Sequence, residues 1–332
     1  MSENDAVFVG GPIFDGSDLH HGCAAVFRDG RFAELIAADR LTPDAPVVQL
    51  SGDILSPGFV DLQVNGGGGV LFNDDPSLTT LVRIAEAHRG LGATAILPTL
   101  ITDNQDTTRA AITATIEAVE AGVAGIAGLH LEGPHLSQRR KGAHDGNLIR
   151  PMEEGDLTQL LEAAKALPAL MVTVAPESVS LPQVETMAGA GILMSLGHTN
   201  ADFETCCAYV DAGARLATHL FNAMSQLGSR EPGLVGAALA RGEVSAGLIA
   251  DGIHVHPASI SAAWAAKNGP GQIFLVSDAM AVAGTDLTEF RLGGRRIQRE
   301  DGRLTLEDGT LAGADLDLTT AIRVLVERCG LD

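Results

Sequence analysis

The sequence predicts an α/β protein, a (β/α)₈ TIM barrel with a small β-sandwich-like accessory domain. Three observations predict it. Short strands divided by Gly and Asp turns fill residues 6–55. From Ser56-Pro57-Gly58 onward, apolar strand-like runs alternate with segments of helical period, eight times over. Several of those runs end on an ionisable residue, which is how such a barrel presents its functional face.

The chain of 332 residues is long enough for one large barrel, an accessory domain and a sizeable core. Hydrophobic residues make up 45% and glycines number 39, with aromatics at 4%, a balance that fits tight turns and excludes a disordered chain. The net charge of −20 argues against a nucleic-acid partner, which needs a basic face. It also means that an anionic substrate needs a locally basic pocket. Met1 to Asp5 shows no signal-peptide pattern, and no apolar run approaches the ~20 residues of a membrane span. No membrane partner is therefore expected. Cys23, Cys206, Cys207 and Cys329 form no C-x-x-C pair, which suits a reducing, cytoplasmic location.

Residues 1–56 are expected to form the small β domain, with strands at 6–9, 24–28 and 31–37 and a hairpin turn at Asp29-Gly30. Residues 57–332 are expected to form the barrel. Its strands are read near 59–65, 93–100, 126–132, 170–175, 192–197, 216–220, 245–250 and 273–277. Helices fall between them, for example over 78–91 and 107–121, where apolar residues recur near every 3.6 positions. Further strands at 289–292, 295–299 and 304–306 are expected to join the small domain, through a segment reaching residue 310. A helix over 316–328 would supply the last helix of the barrel.

The chemistry sits at the strand ends. Glu132, His198, His219 and Asp278 each close an apolar run. Taken singly, a strand-end Glu often caps a helix or meets an Arg, and a strand-end His is more often structural than a ligand. Two His on consecutive strands, with a Glu two strands earlier, shift the balance to a metal. Imidazole and carboxylate together suit one divalent ion, Zn²⁺ or Fe²⁺, better than Mg²⁺. Asp278 is then placed to accept a proton from water and deliver it to a leaving amine. On the first strand, where many metal barrels carry His-x-His, this chain has Gln63 and Asn65. Neither amide is a strong ligand, so one metal is expected and not two. The glycine run 66–69 lacks the Lys-Ser/Thr ending of a phosphate-binding loop and reads as a turn. Polar groups suited to a sugar phosphate follow the third, sixth and seventh strands, at Lys141–His144, Ser229–Gly233 and Ala250–Val255.

These motifs combine into a resemblance. Pro57-Gly58-Phe59-Val60-Asp61, Leu129–Pro134, Gly197-His198-Thr199-Asn200-Ala201, Ala217–Met224, Arg230–Gly233, Asp251-Gly252-Ile253-His254 and Ser277-Asp278-Ala279 resemble the N-acetylglucosamine-6-phosphate deacetylases of the amidohydrolase superfamily. The resemblance runs from about Val7 to Gly330, and Gln63-x-Asn65 is similar to the single-metal branch. It implies hydrolysis of N-acetyl-D-glucosamine 6-phosphate, with Glu132, His198 and His219 holding the metal. It implies Asp278 as general base and acid, and His144 assisting the acetamide carbonyl or the sugar. Arg230 and His254 would bind the phosphate. Ala143, Asn222, Ala223 and the Leu311-Ala312-Gly313 backbone would line the sugar. It further implies a homodimer with a phosphate ligand crossing the subunit boundary. Family members usually run on past the last residue here, with strands that complete the β domain. The expectation is therefore an accessory domain open along one edge. The rival readings are another N-acyl amidohydrolase and a catalytically inactive sugar-phosphate-binding homologue.

Overall fold

The structure, a computed structural model, describes residues 4–42 and 45–331. Residues 1–3 and 43–44 of the expected small domain, and residue 332 of the expected barrel, lie outside the described residues. The chain divides into two compact units, Met1–Gly58 and Phe59–Asp332.

In the first unit, a four-stranded sheet runs in the order Arg31–Ala37, Cys23–Arg28, Ala6–Val9, Val47–Gln49. The first three strands pair antiparallel, and Val47–Gln49 pairs parallel to Ala6–Val9. Asp29 and Gly30 both adopt positive φ, +50° and +73°, as a tight hairpin turn requires. Val7, Ala24 and Val26 form its small buried cluster.

The second unit is the barrel. Its strands are β1 (Phe59–Val64), β2 (Ala93–Ile101), β3 (Leu129–Glu132), β4 (Leu170–Val174), β5 (Leu193–Leu196), β6 (Leu216–Ala217), β7 (Ser245–Leu248) and β8 (Ile273–Leu275). Each pairs parallel with the next in sequence. The ring closes just beyond β8. Val64 bridges Ala279, Asp278 N donates to Gln63 O at 3.0 Å, and Asn65 N donates to Ala279 O at 2.9 Å. The closure thus runs through the residues of the expected site. The helix expected over 107–121 starts at Gln105, because the Asn104 side chain accepts from Asp106 N and Thr107 N as its N-cap. The last helix spans Leu318–Val324, capped by Asp317, and continues as one π-helical turn that ends at Gly330 with φ +65°. No helix among the described residues is long and apolar enough to cross a membrane.

The strands after Asp278 differ from expectation in their partners. Among the described residues, Glu289–Leu292, Arg295–Glu300 and Arg303–Thr305 form a separate antiparallel sheet in the second unit, with Thr305 also bridging Leu311, and are not strands of the N-terminal sheet. The reason lies in their apolar face. Leu292, Ile297 and Leu304 pack on Leu71, Met280, Ala281, Val282 and Ala312, so the segment just after Asp278 supplies the surface they bury.

Candidate metal centre and substrate cavity

The site is assembled where strands end. β3 ends on Glu132 itself. Two residues beyond β5 stands His198, two beyond β6 stands His219, and three beyond β8 stands Asp278. These last three share a left-handed backbone, with φ of +47°, +31° and +49°. A non-glycine residue there costs about 1–3 kcal/mol and persists where the surrounding structure over-determines it. Gly197 lets β5 close up on its neighbours. A Cβ there would stand 2.8 Å from Thr173 Cγ2 and 3.0 Å from Thr218 Cβ.

Glu132, His198 and His219 converge. Glu132 Oε1 lies 3.1 Å from His198 Nε2 and 2.9 Å from His219 Nε2, and the two Nε2 atoms are 3.0 Å apart. All three residues are buried. His198 Nδ1 donates to Arg140 O at 2.8 Å, which leaves the Nε2 lone pair facing the cluster. Burial pushes the Glu132 carboxyl up, but the His198 and His219 imidazoles against it outweigh that and hold it well below its ordinary range. One carboxylate and two imidazoles whose donor atoms lie within 4.8 Å of one another fit a divalent cation of the zinc or iron type.

Asp278 stands beside this cluster. Burial, then the negative Glu132, raise its carboxyl to about 6. Two amides hold it. Asn65 Nδ2 donates to Asp278 Oδ1 at 2.7 Å and Gln63 Nε2 donates to the same oxygen at 3.1 Å. The strand-one amides, read from the sequence only as missing ligands, are hydrogen-bond donors to the site. Asp61, two residues before Gln63, is 1% exposed and accepts from Ser277 N at 3.2 Å.

A cavity of about 530 Å³ opens over these groups. It brings together most of the residues predicted for substrate. His144, Ala143, Asn222, Ala223, His254 and the Leu311-Ala312-Gly313 backbone all line it, with Asn65, Glu132, His198, His219 and Asp278. His144 Nδ1 lies 2.8 Å from Thr102 Oγ1. Burial, then the neighbouring His198, push the His144 imidazole down to about 3, so it is neutral near pH 7. His254 is oriented by Asp251, whose Oδ2 lies 2.6 Å from its Nδ1. Gly313 has φ +67°, and a Cβ there would collide with the Met280 side chain and stand 2.9 Å from the Asp278 carbonyl oxygen.

Arg230 is the exception. It is exposed and does not line the cavity. Two cations that the sequence reading passed over, Arg139 and Arg140, do line it. Their signal was their place beside Lys141-Gly142 in a chain otherwise strongly acidic. A buried polar layer was also missed. Val64 N donates to Thr99 Oγ1, Thr99 Oγ1 lies 3.2 Å from His130 Nδ1, and His130 Nε2 lies 2.8 Å from Thr173 Oγ1. Thr218 Oγ1 continues the chain, 2.6 Å from both Thr173 Oγ1 and Ser195 Oγ. Each member stands on a strand that delivers a site residue or on its neighbour, and burial lowers the His130 imidazole to about 4.

Residues 54–293 match the model of the Amidohydrolase family. The chain is 44% identical over 317 residues to an N-acetylgalactosamine-6-phosphate deacetylase of a Shewanella species, covering 95% of this chain and 79% of that protein. It is 34% identical to the N-acetylglucosamine-6-phosphate deacetylase of Haemophilus influenzae, covering 91% and 79%. In fold it is similar to the crystal structure of N-acetylglucosamine-6-phosphate deacetylase from Pasteurella multocida, with a TM-score of 0.94 at 32% identity over 99% of this chain and 86% of that one. It is also similar to a point mutant of the Mycobacterium smegmatis enzyme in complex with N-acetyl-D-glucosamine-6-phosphate, with a TM-score of 0.89 at 30% identity over 99% and 85%. The chain belongs to the amidohydrolase family, in its group of N-acetylglucosamine- and N-acetylgalactosamine-6-phosphate deacetylases.

Proposed function

We propose that the chain hydrolyses N-acetyl-D-glucosamine 6-phosphate to D-glucosamine 6-phosphate and acetate, in amino-sugar catabolism and cell-wall sugar recycling. The observation that carries this reading is the convergence of Glu132, His198 and His219 beside a buried Asp278 at one cavity. That set is complete among the described residues, which disfavours an inactive binding protein. The amides at Gln63 and Asn65 disfavour a two-metal amidohydrolase. We further propose one divalent ion per chain, Zn²⁺ or Fe²⁺, a cytoplasmic location and a homodimer. Free thiols at all four cysteines support the location. The exposed Arg230 supports the dimer, as a phosphate ligand offered to a second copy.

Glu132, His198 and His219 would hold the ion, which when bound supplies Lewis acidity toward water and the acetyl carbonyl oxygen. Asp278 accepts the proton of the attacking water as its oxygen bonds to the carbonyl carbon. The same proton passes to the sugar nitrogen as the C–N bond breaks, so nitrogen leaves as an amine and not as a poor anion. Neutral His144, its Nδ1 2.8 Å from Thr102 Oγ1, would present Nε2–H to the developing oxyanion in the tautomer whose Nδ1 accepts from that hydroxyl. His254 and the arginines at the cavity wall meet the phosphate.

The test is acetate release from N-acetylglucosamine 6-phosphate, run beside the N-acetylgalactosamine epimer and the unphosphorylated sugar. The epimer arm matters because relatives of both names are similar to this chain. The expected result is turnover of the 6-phosphates with a strong preference over the plain sugar. No acetate from any of them by metal-loaded protein overturns the reading.

A further inference from the structure

We propose that Gln63 and Asn65 are positioning residues that hold the metal-binding carboxylate and the proton-transferring carboxylate in fixed relation, each through a different set of bonds. The proposal rests on the deacetylase reading above for the role of Asp278.

The geometry is specific. Gln63 is 1% exposed and Asn65 is 3% exposed, so both side chains sit away from bulk solvent. Gln63 Nε2 lies 3.2 Å from Glu132 Oε2, 3.3 Å from Glu132 Oε1 and 3.1 Å from Asp278 Oδ1. A primary amide carries two N–H donors, one for each carboxylate. Among the described residues Asn65 Nδ2 donates to Asp278 and not to Glu132, on the same Oδ1 at 2.7 Å. Oδ1 therefore accepts from two amides, and Oδ2 is the oxygen left for proton transfer. The main chain repeats the arrangement. Gln63 O accepts from Asp278 N, and Asn65 N donates to Ala279 O.

Asn65 carries a second sign of a built site. Its amide nitrogen must face Asp278, because the opposite orientation would set acceptor against acceptor. Its Oδ1 is then buried without a protein partner, on a residue that lines the cavity. Such an acceptor costs stability unless a donor from water or substrate meets it.

Amides suit this position chemically. Two carboxylates held close in a buried site repel, and a donor between them relieves the repulsion. A cationic donor would do so too, but it would pull the Asp278 carboxyl down and weaken it as a base. An imidazole would compete for the ion. An amide donates without charge and without strong affinity for the metal. It therefore ties the two carboxylates together without adding a charge or a competing ligand.

The two residues touch different partners, so their variants should separate. Gln63→Met keeps the length and removes both donors. It is expected to weaken Zn²⁺ binding about ten- to hundredfold, through Glu132, and to lower kcat, through Asp278. Asn65→Leu is expected to lower kcat about tenfold or more while Zn²⁺ affinity stays within twofold of wild type. KM should move little in either. The measurements are Zn²⁺ affinity by competition with a chromophoric chelator, kcat and KM with N-acetylglucosamine 6-phosphate, and Tm to confirm folding. Gln63→Asn, too short to span both carboxylates, replaces Gln63→Met if that variant does not fold. Wild-type Zn²⁺ affinity in the Gln63 variant, or equal loss of Zn²⁺ affinity in both variants, overturns the proposal. If the wild-type protein itself releases no acetate, the deacetylase reading has failed, and the chelator competition still reports on the bond from Gln63 to Glu132.

Discussion

The imidazole of His198 donates through Nδ1 to the main-chain oxygen of Arg140 at 2.8 Å. The contact is reciprocal, since Ser137 N donates to His198 O at 2.9 Å. The loop from Ser137 to His144 therefore fixes the tautomer of a proposed metal ligand and places a cavity imidazole at its end. Arg295 adds a tie from the separate three-stranded sheet, donating to Ala143 O.

The first prediction concerns the ion. Elemental analysis of the wild-type chain, purified without chelator, is expected to give one equivalent of zinc or iron. Glu132→Gln is expected to lose it, because an amide keeps the shape and removes the charge that attracts the cation. Two equivalents in wild-type chains contradict the single-metal expectation. Full retention in Glu132→Gln contradicts the ligand assignment.

Asp278→Asn should keep the ion and KM while kcat falls by about 10²–10⁴, the usual range for general acid–base catalysis. Wild-type activity should also carry an acid limb. Burial, then Glu132, raise the Asp278 carboxyl to about 6. The base must be ionised, so activity falls as pH drops through that value. A bound cation pulls the carboxyl down, which puts the limb at or below about 6. A pH–rate profile flat from 7 to 4 would remove Asp278 from its assigned role.

His144 is expected to act as a neutral donor. His144→Ala should lower kcat by about 10²–10³, the usual size for removal of one oxyanion-stabilising donor. Thr102→Val leaves the imidazole and removes the hydroxyl that settles its tautomer, so it should lower kcat by a smaller factor at unchanged metal content. If His144→Ala kept near-normal kcat, the ring would have no role beyond packing.

Away from the site, Asp156 should matter for stability. Its carboxylate is 8% exposed and pairs with Arg150 at 2.5 and 2.6 Å. Burial pushes it up, but the Arg150 bonds outweigh that and hold it at about 2. Because the folded value lies below the ordinary one, this contribution is complete above about 4 and is lost as pH falls toward 2. Asp156→Asn should cost about 1.5–3 kcal/mol at pH 7, read by denaturant titration. The difference from wild type should shrink at pH 3. A constant difference across that range would point to lost packing and not to lost charge.

The residues that cluster at the site were legible because the signal is local: a charge or imidazole closing an apolar run is expensive unless something binds it. Glu132, His198, His219 and Asp278 all carry that mark. Gln63 and Asn65 carry none, since an amide at a strand end is cheap, and their partners lie 69 to 215 residues away. Alternation showed that 289–305 forms strands, but not which sheet they join. That is decided by where Leu292, Ile297 and Leu304 find a matching apolar surface, and the surface belongs to residues around Met280. Arg139 and Arg140 were passed over for the same reason, because a cavity wall is a tertiary property.

Arg230 gives the last prediction. It is exposed and outside the cavity, whereas Arg140 lines the wall with its Nε donating to Asn200 Oδ1 at 2.9 Å. If Arg230 reaches the phosphate in a second copy, Arg230→Ala should weaken use of the 6-phosphate substrate about ten- to hundredfold, the worth of one charged hydrogen bond, and leave the plain sugar unaffected. The defect should then be repairable in trans. In a mixed dimer of Arg230→Ala with Asp278→Asn, one site combines an intact Asp278 with an intact Arg230 from its neighbour. Mixing the two impaired proteins, after dissociation and reassociation, should recover a substantial part of wild-type activity. No recovery from a mixture proven to exchange subunits would assign the phosphate to cations of the same chain, with Arg140 first among them.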